Sequence, residues 1–284
     1  MFGDVGQGLV LFLGGLFLYK TKKMDLAGII SCAGVFSVFF GFMYGSFFGF
    51  EDVLKGIWLK PMNQMIDVPL VGRLNAVFVI AIGFGMFIIL ICMVFNIINS
   101  IRRGDTEKTW FDSNAVAGLV FYGSIVLTIG LFISGKKLPA AAILVIMFGV
   151  PLLLMFLKEP LTNLVEKKSK ILPEQKGMFF VQSFFELFEV LLSYLSNTLS
   201  FLRIGAFAVS HAAMMEVVLM LAGATNGGSP NWIVVVLGNI FVCAMEGLIV
   251  GIQVLRLEYY EIFSRFYAGN GREFKPFMKA AHKN

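Results

Sequence analysis

Two apolar stretches, residues 178–222 and 231–266, limit what this chain can fold into. At about 1.5 Å per residue, a helix over the first would be roughly 68 Å long, more than twice a hydrocarbon core of about 30 Å. Such a helix must lie steeply tilted or break. Both stretches also carry ionisable groups, which a lipid-facing span avoids. Only 14% of the 284 residues are charged and the mean hydropathy is +0.83, whereas soluble domains run near 25% charged. The chain is therefore read as a polytopic membrane protein.

Shorter apolar runs near 5–19, 26–50, 74–99, 113–134 and 138–157 precede the two long ones, which predicts an all-α membrane helical bundle of about seven spans. The opening MFGDVGQG has neither a basic n-region nor a small-residue cleavage site and does not read as a signal peptide. Lys and Arg in alternate connections number 16 on one side and 5 on the other. The positive-inside rule then puts the C-terminus in the cytoplasm and Met1 outside. The uncharged, glycine-rich GATNGGSPN (223–231) makes the last two stretches a long tilted helical hairpin with its turn outside. The expected organisation is a five-span bundle over 1–176, with a cytoplasmic linker at 158–176, followed by the hairpin and a short cytoplasmic tail over 177–284.

Placed on a helix with Arg203 at the origin, Ser210, Ser196, Glu189, Ser200, Ser193 and His211 fall within a face roughly 100° wide. On the second long helix Asn239, Glu246 and Gln253 recur every seven residues and stack, while Arg256 lies about one turn beyond Gln253. A charge at the membrane centre costs at least about 2.5–3.5 kcal/mol, so Arg203, Glu189, Glu246 and Arg256 are expected to face protein or water. Arginine, unlike lysine, does not lose its charge on desolvation, so Arg203 is a permanent cation that repels other cations and attracts a mobile carboxylate. The blander reading of the remaining charges is an internal ion pair, such as Glu246 with Arg256. The glycines of GFMYGSFFG (Gly41, Gly45 and Gly49) are read as close helix packing.

Several classes are poorly supported. There is no G-x-x-x-x-G-K-[ST] phosphate loop, so any ATP hydrolysis must happen on another chain. His211 and His282 show no paired ligand spacing, Cys32, Cys92 and Cys243 sit apart, and no basic tract suggests nucleic acid; no metal or cofactor is expected. An ion-coupled secondary transporter and a non-conducting structural scaffold stay open. Substrate uptake by the chain alone marks the first, and tolerance of Leu at Arg203 marks the second.

The stretches SYLSNTLSFLRIGAFAVSH (193–211), AMEGLIVGIQVLRLEYYEIFSRFYAGNGREFKPF (244–277) and FGDVGQG (2–8) resemble the membrane domain of subunit a of V-type rotary ATPases, called subunit I in A-type and bacterial members. The resemblance runs over essentially the whole chain, and RIGAF is closer to prokaryotic wording. It implies a stator whose long hairpin lies against a rotating ring of proteolipid (c/K) subunits, each with one ion-binding carboxylate. By this resemblance Arg203 is the essential arginine between two aqueous half-channels and Arg256 is a second arginine. Glu189, His211 and Glu246 match polar half-channel positions; Gln253, Ser196, Ser200, Ser210 and Asn239 join them from the polar stripes. The expected location is the cell membrane of a prokaryote, among lipids. Family members usually add an N-terminal cytoplasmic domain, which joins the peripheral stalks, and a first span. Neither is expected within these residues.

Overall fold

The computed structural model describes residues 3–50, 53–54, 56–58, 65–68, 72–136, 139–165, 176–224, 230–267, 269 and 271. The described residues are mostly helical, as expected. The first helices are α1 (Val5–Lys22) and α2 (Asp25–Tyr44), a closely packed antiparallel pair. Four glycines allow the approach: a Cβ on Gly8, Gly15, Gly34 or Gly41 would come within 2.4–2.8 Å of the facing helix backbone. This is the small-residue packing that membrane helices use where no hydrophobic drive separates them from lipid.

The packing reading holds for Gly41 but not for its two partners in GFMYGSFFG. Gly45 and Gly49 have φ of 77° and 83°, so they are turn residues; Gly45 is the left-handed cap that ends α2. The apolar run 26–50 is therefore a helix plus a turn. A β-hairpin, β1 (Met65–Val68) and β2 (Gly72–Asn75), occupies part of the connection to the next helix. The hydropathy pattern did not suggest it, since its two strands are too short to show alternation.

Asn75 caps the N-terminus of α3 (Ala76–Arg103), accepting a hydrogen bond from Val77, and Gly104 closes it in the left-handed conformation. A short α4 (Thr106–Trp110) leads to α5 (Val116–Ile133). Next, α6 (Ala141–Phe156), with Pro151 inside it, meets α7 (Lys158–Val165) at a 73° bend. Thus the segment read as a linker begins as a helix, and residues 166–175 lie outside the described ones. The long hairpin comprises α8 (Lys176–Ser200), α9 (Leu202–Leu221), α10 (Trp232–Leu257), a π-helical turn (Glu258–Phe263) and α11 (Ser264–Phe266). Its connection at 225–229 lies outside the described residues.

Five described helices are long and apolar enough to span a membrane, and six if the bent α6–α7 pair is one span. The run 5–19, read as a further span, is α1; it is helical, but Lys20 and Lys22 in its last turn and Gln7 in its first dilute its apolar character. The two long stretches remain long helices, Gly177–Leu221 and Trp232–Phe266. The first is neither cleanly continuous nor sharply broken: Phe201 interrupts the helical pattern while keeping right-handed helical dihedrals.

The main core forms around α3. Ile89 and Met93 are fully buried against Phe121 and Tyr122 of α5, Tyr194 of α8, Phe201 and Leu257. Phe201 rests on Gly85, where an added Cβ would stand 2.2 Å from the ring. That contact fixes the residue two places before Arg203. Along α10, in contrast, Val236, Leu237, Ile240 and Phe241 point outward, an apolar surface suited to lipid or to a membrane-embedded neighbour.

Candidate functional site

Because α8 and α9 run almost in line, the polar stripe is carried past Arg203 in both directions. The structure splits it by depth and by side. Glu189, Ser193, Ser196 and Ser210 are exposed on the chain's surface, Ser200 and Arg203 are half-buried, and His211 is buried. On α10, Asn239 and Glu246 are buried, Gln253 is half-buried and Arg256 is exposed.

The buried members meet. His211 Nδ1 lies 2.6 Å from Glu246 Oε2, with both residues 4% exposed. Glu246 therefore takes His211, not Arg256, as its buried partner. Seven residues, about two helical turns, earlier, Asn239 Oδ1 accepts a 2.8 Å hydrogen bond from Gln7 Nε2, and Asn239 Nδ2 donates to the Val235 carbonyl. The Gln7 amide also reaches Met215 Sδ at 3.3 Å. So the first helix contributes to the polar layer between α9 and α10.

The FGDVGQG stretch explains how α1 is held there. Asp4 is fully buried, and its carboxylate accepts from the backbone N–H of Gln7, Phe48 and Gly49 and from the Ser46 hydroxyl. It caps α1 and at the same time fastens the turn after α2. Beside His211 this turn leaves a cavity of about 20 Å³, lined by Gly3, Tyr44, Ser46, Gly49, Ala208 and Met215 among others, room for about one water.

A second polar cluster stands on the other side of Arg203. The Arg203 Nη2 donates to Ser200 Oγ at 3.3 Å, and the Ser200 hydroxyl donates in turn to Glu261 on the π-helical turn. Arg203 Nη1 is buried and meets no acceptor among the described residues. Arg265, buried four residues after Glu261, donates to Asn114 Oδ1 at 2.9 Å and stands 5.8 Å from the centre of the Tyr194 ring. A cavity of about 210 Å³ opens here, lined by Ser113, Asn114, Ser193, Asn197, Ser264 and Arg265 with Tyr194 and Val190. Its walls are mostly hydroxyl, amide and guanidinium groups, so it can hold water.

Glu261, Arg265 and Gln7 were missed by the sequence reading. Glu261 falls on the same helical face as Glu246, about 60° away on an ideal wheel, and that was the available signal. It was passed over because charges near the end of an apolar run ordinarily extend to the interface. Arg265, at the end of the same apolar run, is hidden in the same way. Gln7 sits in a polar opening whose partners are more than 200 residues away. Among the described residues no group of three His, Cys, Asp or Glu side chains is placed to hold a metal ion.

Fold and site together define a class: a multi-span helical membrane protein whose long terminal hairpin holds an arginine between two internal polar clusters. The profile of the V-type ATPase 116 kDa subunit family matches residues 158–279, the part containing that hairpin. The chain is 27% identical to the A-type ATP synthase subunit I of Aeropyrum pernix, over 97% of this chain and 44% of that protein. It is 42% identical to the corresponding subunit of Saccharolobus solfataricus over 100 residues, 32% of this chain and 14% of that one. Identity to the human V-type proton ATPase 116 kDa subunit a 3 is 35% over 33% of this chain and 13% of the relative. These matches support a V/A-type ATPase subunit a/I, the family that the motifs resemble. The chain spans less than half the length of these relatives.

Proposed function

We propose that the chain is the membrane half of a stator subunit in a V/A-type rotary ATPase and forms the ion path against a rotating ring of c/K proteolipid subunits. The names of its relatives support the subunit. The observation that carries the mechanism is the position of Arg203 between two polar clusters. His211 lies eight residues further along the chain, roughly 12 Å along a helix, and Glu261 and the larger polar cavity lie on the opposite side. Arg203 also keeps a donor without an acceptor among the described residues.

Each cluster serves as one half-channel. On the outer side it comprises His211, Glu246, Asn239 and Gln7. On the cytoplasmic side it comprises Ser193, Asn197, Ser200 and Glu261, with Glu189 and Ser196 on the exposed face leading to it. Gln253 and Arg256 lie on α10 toward the cytoplasmic end, with Arg256 as the second arginine. Ser210 lines the exposed face on the outer side of Arg203. A proton or sodium ion enters one half-channel, binds a ring carboxylate and is carried round through lipid. Release follows when that carboxylate nears Arg203, because an opposite charge within about 4–6 Å favours the ionised form by roughly one to three pKa units. Between passes the fixed positive charge blocks leakage from one half-channel to the other. The chain is not itself the enzyme; ATP hydrolysis or synthesis belongs to other subunits, and peripheral-stalk subunits hold the stator still. The setting is a prokaryotic cell membrane, with the C-terminus in the cytoplasm and residue 1 outside.

The test is Arg203→Gln and Arg203→Ala in the complete complex, reconstituted in vesicles. Coupled transport is expected to vanish with assembly intact. Near-normal ATP-driven pumping would refute the assignment.

A further inference from the structure

We propose that Glu261 is a positioning residue for Arg203, acting through the Ser200 hydroxyl; this rests on the role given to Arg203 above. A serine has one hydroxyl proton, and here it is directed at Glu261. With that proton committed, the oxygen turns its lone pairs toward Arg203 Nη2. Without the carboxylate the hydroxyl is free to rotate and to back-bond its own helix, so the guanidinium loses a fixed acceptor.

The arrangement differs from an ordinary buried ion pair in a useful way. A carboxylate that gripped Arg203 directly would take two parallel N–H donors in a fork and compete with any second carboxylate. One hydroxyl in between orients the guanidinium with a single bond and leaves Nη1 without an acceptor among the described residues. A carboxylate brought past by a neighbouring subunit then finds a donor already in place and an arginine that can let go of it.

The local fold is built to deliver Glu261. The segment Glu258–Phe263 is π-helical, winding less per residue than the α10 helix before it. This turns Glu261 inward to 6% exposure, while its neighbours Tyr259 and Tyr260 stay outside. The cationic groups facing this carboxylate are Arg203 from α9 and Arg265 from α11. The latter bonds Asn114 through Nη1, and its Nε and Nη2 have no acceptor among the described residues, whereas Arg203, through Ser200, has a hydrogen-bonded route to Glu261.

The experiment measures ions pumped per ATP hydrolysed by the complete complex in vesicles, with assembly checked on native gels. Variants are Glu261→Leu, which removes the acceptor, Ser200→Ala, Ser200→Thr, the double Ser200→Ala/Glu261→Leu, and Arg203→Gln as reference. Loss of a charge-assisted hydrogen-bond relay predicts a drop of about tenfold in each of Glu261→Leu and Ser200→Ala. The double variant should be no worse than the more affected single, because both break one chain. Ser200→Thr, which keeps the hydroxyl, should pump normally. Normal pumping by either single variant, multiplicative losses in the double, or an equal loss with Ser200→Thr would overturn the relay. Arg203→Gln separates the two claims. If it pumps, the role of Arg203 itself has failed; if it is dead while Glu261→Leu pumps normally, the relay alone has failed.

Discussion

Replacing His211 by Leu isolates the energetics of the outer polar cluster. Glu246 is 4% exposed, its Oε2 bonds to His211 Nδ1 at 2.6 Å, and its Oε1 has no hydrogen-bond partner among the described residues. His211→Leu therefore leaves both oxygens of a buried carboxylate without a donor. Breaking one partner of such a pair costs roughly 3–5 kcal/mol, whereas replacing both by apolar groups of similar volume is often nearly neutral. The double variant His211→Leu/Glu246→Leu is thus expected within about 1 kcal/mol of the wild type, with a coupling of roughly 3 kcal/mol between the two sites. Glu246→Gln, whose amide oxygen still accepts from an imidazole N–H, should lose only about 1 kcal/mol. The assay is a reversible denaturant titration of the purified chain in mixed detergent, run over all four corners of the cycle. Additive effects, with a coupling below about 0.5 kcal/mol, would refute the reasoning. The same double variant should be inactive in transport, which separates the stability of the pair from its use.

Gly85→Ala drives a methyl into the Phe201 ring. Overpacking of this kind costs about 1–3 kcal/mol, and the shift should reach Arg203 as reduced pumping, measured beside a thermal unfolding curve; unchanged values for both would count against Phe201 as its anchor. Asp4→Ala removes the acceptor of three backbone N–H groups and one hydroxyl. It is expected to cost about 2 kcal/mol or more and to expose the turn at Ser46–Gly49 to protease, seen as earlier cleavage in limited digestion.

The hairpin was legible in the sequence because a charge in a long apolar run has few readings. Arg203 and the seven-residue ladder of Asn239, Glu246 and Gln253 fall on faces that helical periodicity alone defines. Partner choice was less legible. Arg256 was the partner expected for Glu246, and only the packing of α9 against α10 gives it His211 instead. Glu261 and Arg265 were hidden because a charge near a span's end has an easy way out to water, which outweighs the one periodic sign of Glu261, its place on the Glu246 face. The turn glycines Gly45 and Gly49 look like packing glycines because spacing four is common to both uses. Gln7 and Asp4 act through contacts between distant segments, which no local pattern reports.

The account stands on Arg203 meeting the carboxylates of a rotor. Ser196 and Ser210 flank Arg203 on the same helical face and are exposed, so each can be changed to cysteine in a chain with Cys32, Cys92 and Cys243 replaced. Oxidative cross-linking in the whole complex should join either position to a cysteine placed beside the ring carboxylate and stop rotation-coupled hydrolysis until reduced. Cysteines at both positions that react readily with lipid-soluble thiol reagents, yet never link to the ring, would contradict it.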